Sequence, residues 1–169
     1  MDNNILIDLA ETNNKLSDNS FKILNKLFND VYIPSPILTD EVQVDLKNLE
    51  YKTGIIEKEK GFNFFFFFND SDNERVFSGL SDYDKHFLSI SFGKNILAAS
   101  NDGLVRKLAK RYDIEITGIL GIMAATYETD IINFRKLKSY YKFLFSDDSS
   151  FYVSHHIKDE ICQFYNIEL

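Results

Sequence analysis

Asn95-Ile96-Leu97-Ala98-Ala99-Ser100-Asn101-Asp102-Gly103-Leu104-Val105-Arg106 is the stretch that decides the fold class. A short apolar run that stops at a polar edge and turns at once into an amphipathic segment reads as a buried parallel strand handing over to a helix. Ser100-Asn101-Asp102 opens that helix, which continues through Leu104, Leu108 and Tyr112, with Arg106, Lys107, Lys110 and Arg111 on other positions. Ile114-Glu115-Ile116-Thr117 then reads as the next strand. Upstream the pattern repeats. Ile5-Leu6-Ile7 is an apolar run ended by Asp8, and Leu16, Phe21, Leu24, Leu27 and Phe28 recur at helical intervals. Val31-Tyr32-Ile33 is a second strand candidate, followed by Ser35-Pro36, a hydroxyl cap with proline in the first helical position. The helix so started is expected to run to about Leu49, with Glu41 about one turn inside it. Phe62 to Phe68 is a third strand candidate closed by the polar loop Asn69 to Asn73, and Ser81 opens a helix through Phe92.

Strands alternating with helices make a parallel sheet with right-handed crossovers the economical architecture. The chain divides on this reading into a sheet domain, residues 1–126, and a helical extension, residues 127–169, packed on it as one structural unit. The extension carries a polar break at Ser146-Asp147-Asp148-Ser149-Ser150.

The 169 residues suffice for one sizeable core, built mainly from Phe, Ile and Leu because Trp is absent. A formal charge of −7 excludes a protein that coats nucleic acid through a general basic surface, so any such contact must be local. The single cysteine, Cys162, has no partner for a disulfide or a zinc site, which points to a reducing, cytoplasmic setting. No stretch is long enough to span a bilayer, and the N-terminus lacks the positive flank of a signal peptide. Neither a phosphate-binding glycine loop nor a Gly-x-Ser-x-Gly nucleophile turn occurs.

What remains is a set of carboxylates. Open parallel sheets place functional groups at the carboxyl ends of their strands. Asp8 and Asp102 each follow a strand candidate, while Glu41 and Asp84 lie near the starts of helices that follow the second and third strands. Oxygen-only ligands of this kind suit Mg²⁺ or Mn²⁺, which keep several waters and bridge to phosphate. Each acid also has an ordinary reading. Ser81-x-x-Asp84 is close to a capping box, and Asp102 in a first helical turn complements the helix dipole. Asp82 is an alternative to Asp84, and Asp40 adjoins Glu41. His155 and His156 are adjacent and so face different sides of a helix, His86 has no supporting motif, and Cys162 reads as a small buried residue.

Taken in order, the first-strand Asp, Glu41 within Ile33-Pro34 … Thr39-Asp40-Glu41-Val42, Leu80-Ser81-Asp82-Tyr83-Asp84, and Ser100 to Arg106 resemble the PIN domain. The likeness extends through Asp113 to Ile122, and the tail from Tyr152-Val153-Ser154 is similar to the helical extension of a PIN subgroup found in toxin–antitoxin pairs. The resemblance implies a PIN-like three-layer α/β fold, a central parallel sheet flanked by helices, with added C-terminal helices. It implies Mg²⁺- or Mn²⁺-dependent hydrolysis of RNA, with Asp8, Glu41, Asp84 and Asp102 as the catalytic and metal-holding quartet and Ser100 in support. It further implies a toxin role, a small antitoxin partner and a homodimer. Arg106, Lys107 and Lys110 are the nearest candidates for RNA contact, although a run of cations on a helix is more often a solvated face. A catalytically degenerate PIN-like module that binds protein or RNA is the competing reading.

Overall fold

Parallel pairing is present, in two short ladders. β1 (Tyr32–Pro34) pairs with β2 (Lys52–Gly54), and β3 (Ala98–Ala99) pairs with β4 (Ile116–Thr117). The computed structural model describes residues 1–17, 19–54 and 79–168. Residues 1 and 2 join the ladders: the Met1 amine donates to Tyr32 O at 2.6 Å, and Asp2 N–H donates to Ala99 O at 3.0 Å. Residues 1 and 2 thus bridge two separate two-stranded sheets, β1-β2 and β3-β4, by one hydrogen bond to each. This is the α/β class that the alternation implies.

Eight helices accompany the strands among the described residues: α1 (Asn3–Leu16), α2 (Ser20–Leu27), α3 (Ser35–Asp40), α4 (Asp82–Lys94), α5 (Gly103–Arg111), α6 (Ile119–Glu128), α7 (Phe134–Leu144) and α8 (His155–Phe164). The described residues fall into two compact units. One comprises those of Met1–Leu6, Asp30–Gln43 and Tyr51–Gly118; the other comprises those of Ile7–Asn29, Val44–Glu50 and Ile119–Leu169.

In the first unit, α4 packs against α3, α5, β1 and β3, and α5 packs against β4. Its core is Ile33, Ile37, Phe87, Leu88, Ala98, Val105 and Leu108, all nearly or fully buried. The second unit is helical. There α6 packs on α7 and α2, Tyr141 Oη donates to Leu120 O at 3.1 Å, and the Tyr141 ring stacks on Phe145. Ser154 caps α8, and the polar break at residues 146–150 separates α7 from α8.

Three expectations are corrected. Ile5-Leu6-Ile7 is not a strand but the first turns of α1. Buried Ile5 and Leu6 are followed by buried Leu9 and Ala10, a helical repeat that a three-residue window does not reveal. Asp8 therefore ends no strand; it is a buried mid-helix residue of the second unit. The helix from Ser35 stops at Asp40, where the N–H groups of Glu41 and Val42 both return to Ile37 O, so Glu41 is a C-cap rather than an interior residue. Cys162 is partly exposed. The Phe62 to Phe68 strand lies outside the described residues.

Leu108 is 1% exposed on the buried side of α5. Leu108→Ala is expected to lower stability by about 2–5 kcal/mol, read as a fall in the urea midpoint with an unchanged slope.

Candidate functional site

The first unit gathers acids at the carboxyl ends of β1 and β3, and it does so through helix starts. Asp2 immediately precedes α1, Asp84 lies in the first turn of α4, and Asp102 is the N-cap of α5. A helix N-terminus carries unpaired N–H groups and a partial positive charge, so each acid offsets part of its repulsion with its own helix.

Each of these three is anchored so that at least one oxygen is heavily engaged. Asp102 Oδ1 accepts from Leu104 N and Val105 N, both at 2.8 Å. Asp84 Oδ2 accepts from Ser81 N at 3.0 Å and Ser81 Oγ at 2.7 Å, completing a reciprocal capping box with the bond from Asp84 N to Ser81 Oγ. Asp2 Oδ2 accepts from Ser100 Oγ at 2.5 Å and Asn4 Nδ2 at 2.6 Å, while its Oδ1 accepts one bond, from Asn3 N at 2.7 Å. Among the described residues no donor reaches Asp84 Oδ1 or Asp102 Oδ2. A carboxylate offers about four lone-pair sites, so each acid keeps acceptor capacity on its less engaged oxygen.

Asn4 ties the segments together. Its Nδ2 also reaches Ser100 Oγ at 3.2 Å, and its Oδ1 accepts from Asn101 N at 3.0 Å. Ser100 is fully buried and its Oγ accepts from Asp102 N at 3.1 Å. The start of α1 and the β3–α5 turn are thereby one hydrogen-bonded assembly.

Glu41 has no hydrogen bond to its carboxylate among the described residues; its main-chain O accepts from Asn3 Nδ2 at 3.2 Å. Burial, followed by the charges of Asp2, Asp84 and Asp40, raises its pKa above the ordinary carboxylate value. Burial also raises Asp2, and the Asp84 charge adds to that; the Ser100 hydrogen bond works in the opposite direction. These couplings place Asp2, Glu41 and Asp84 within one another's field. Asp82 points elsewhere, paired with Lys85 at 2.9 Å, which pulls its pKa down. Of the two acids, Asp84 is the one whose charge acts on Asp2 and Glu41. His86 Nδ1 lies 2.8 Å from Asp82 O on the same helix, and His156 is beside Glu160 in the other unit.

Sequence reasoning missed Asp2 and Asn4. The signal was the polar run Asp2-Asn3-Asn4 ahead of an apolar set that, extended to Leu9 and Ala10, has helical spacing. An acid at that helix start corresponds to Asp102 at the start of α5.

Does the donor set fit a divalent cation? Among the described residues no three His, Cys, Asp or Glu side chains stand close enough to grip one ion directly. The donors are nonetheless all oxygen, carry acceptor capacity to spare and repel one another, and Asn3 Oδ1 beside them is buried without a donor. That matches a hard cation held by one or two carboxylates and its own waters. The residues fit.

The class of protein these features define is an α/β one with carboxylates collected at the carboxyl ends of short parallel strands. A PIN-domain family model matches residues 1–166, and the chain belongs to the PIN-domain family. PIN domains are generally nucleases and usually use divalent metals such as Mg²⁺ or Mn²⁺, so a nuclease-type function on nucleic acid follows. No curated protein and no solved structure matches the chain. No helix among the described residues is long and apolar enough to cross a membrane.

The raised pKa of Asp2 has a consequence for stability. A carboxyl whose folded pKa lies above its unfolded value of 3.8 leaves the native state holding more protons than the unfolded chain in the window between the two. Stability therefore falls as pH rises through that window. Asp2→Asn removes the titration, so the stability difference between wild type and variant is expected to shift against the wild type between pH 3.8 and the raised value. Chemical denaturation at a series of pH values checks this, and a difference independent of pH contradicts it.

Proposed function

We propose that the chain is a divalent-metal-dependent endoribonuclease whose acids are Asp2, Glu41, Asp84 and Asp102, with Ser100 and Asn4 holding Asp2 in place. The observation that carries this reading is the hydrogen-bonded assembly of Asp2, Asn4 and Ser100 at the turn that carries Asp102, with Glu41 and Asp84 within the field of Asp2. Asp8, which the sequence reading placed in the quartet, gives way to Asp2 because Asp2 is the acid that Ser100 and Asn4 bind at the turn carrying Asp102.

Of Asp2, Asp84 and Asp102, one or two would hold Mg²⁺ or Mn²⁺ directly through their less engaged oxygens, and the rest would reach it through the ion's own waters. When bound, the cation lowers the pKa of a water and neutralises charge on the attacked phosphate. Ser100 and Asn4 keep the Asp2 carboxylate from rotating, so its free acceptor site stays aimed. Glu41, without a hydrogen bond of its own and with a raised pKa, is the carboxylate best able to take and hold a proton from the attacking water. RNA as substrate, the toxin role, a small antitoxin partner, pairing of two copies and a cytoplasmic setting are supported by the sequence resemblance. A second reading, a PIN-like module that binds without cutting, is favoured by one observation: among the described residues, three ligands are not drawn tightly together.

The test is cleavage of a mixed single-stranded and structured RNA pool by purified protein with Mn²⁺. Wild type is expected to cut, and chelator to stop it. Asp2→Asn and Asp102→Asn are expected to reduce the rate at least about 100-fold, equivalent to about 2.7 kcal/mol of barrier, at matched folding. Asp8→Asn is expected to keep cutting. Equal loss in Asp8→Asn would return that residue to the site; no cleavage and no calorimetric Mn²⁺ binding by wild type would leave the binding module.

A further inference from the structure

The cations of α5 are not equivalent. Arg106 Nη1 donates to Ser100 O at 3.2 Å, the carbonyl of the same residue whose hydroxyl holds Asp2. From the other side the guanidinium meets the end of β4: a Cβ built on Gly118 would lie 3.1 Å from Arg106 Nη1 and 2.7 Å from Asn101 Oδ1. Arg106 therefore lies across the ends of β3 and β4, at the edge where the acids collect. It is exposed, and it makes no ion pair among the described residues, in a chain of net charge −7.

Lys110 follows Arg106 by four positions, on the same face but about 6 Å further along the axis, away from the capped start of α5. Lys107 is turned about a quarter of the way round the helix. Arg111 lies over the Tyr112 ring, with 5.9 Å between guanidinium and ring centre.

We propose that Arg106 is a phosphate clamp, gripping a phosphodiester of the nucleic-acid strand that flanks the acid cluster, with Lys107 and Lys110 outside the contact. This deepens the ribonuclease reading and rests on it. One terminal nitrogen is fixed on Ser100 O, which orients the guanidinium plane and leaves its other N–H groups for the planar, bidentate geometry that phosphate oxygens accept. The anchoring carbonyl belongs to the turn that carries Ser100 and Asp102, so the clamp and the acids share one support. A local cation of this kind is what an acidic protein requires if RNA is to approach its carboxylates. Gly118 is part of the device, since any side chain there would crowd both Asn101 and the guanidinium.

The experiment is fluorescence-anisotropy binding of a labelled single-stranded RNA to the full chain, in chelator so that the RNA persists, across a salt series. Arg106→Ala is expected to weaken binding at least tenfold and to flatten the slope of log affinity against log salt by about 0.7, one phosphate contact. Arg106→Lys is expected to restore the slope but not the affinity, since a point charge replaces the fork. Lys107→Ala is expected to keep the wild-type slope, and melting temperatures of all three should match wild type. Arg106→Ala binding as wild type, or Lys107→Ala losing as much, overturns the clamp. If that happens while Asp2→Asn still abolishes cleavage, the ribonuclease reading stands without the clamp; wild type that binds no RNA overturns both.

Discussion

The bond from Ser100 Oγ to Asp2 Oδ2 joins residues 98 positions apart and sits where every part of the site meets. A buried carboxylate loses hydration and must recover it from fixed donors, and Asp2 has three: Ser100 Oγ, Asn4 Nδ2 and Asn3 N. The same acid's N–H bonds Ala99 O, and the neighbouring Met1 amine bonds Tyr32 O, so two residues also bridge the two sheets, β1-β2 and β3-β4. Burial depresses that amine's pKa to about 5, which keeps a second charge out of the sheet at neutral pH. Displacing Asp2 would disturb the ladders and the acid cluster together.

How far the sequence revealed this depends on how much local chemistry each residue carries. The turn Ser100-Asn101-Asp102 was legible because a cap, an amphipathic helix and a preceding apolar run agree within a dozen residues. Ser81 and Asp84 were legible for the same reason, and the structure makes both halves of their capping box. The dual nature of these acids, cap and candidate ligand, is no conflict: one oxygen serves the helix and the other remains available.

Asp2 was not legible because its role is non-local. Its partners are Ser100 and Asn101 by way of Asn4, and nothing within the first ten residues announces them. The apolar run Ile5-Leu6-Ile7 drew the strand assignment toward Asp8, since three apolar residues satisfy a strand and a helix equally. Glu41 occupies a position other than the one expected. It was expected inside a long helix and stands instead at the end of a six-residue one, where its main chain is fixed by Ile37 O and Asn3 while its carboxylate is left without hydrogen bonds.

Acidity of the whole and a cluster of acids at the site are reconciled by where the charges sit. Three carboxylates are matched against three helix starts, whose unpaired N–H groups offer partial positive charge at no cost in net charge. What the helices leave uncompensated is burial first, and then the mutual repulsion of the acids, which together raise Asp2 and Glu41. A divalent ion relieves that repulsion more effectively than a proton does, because it couples to several carboxylates at once. Arg106, fixed to the Ser100 carbonyl, supplies the one full positive charge attached to the turn itself. Its reach is short, so the proposed clamp would confine the contact with nucleic acid to a small footprint on an otherwise acidic surface.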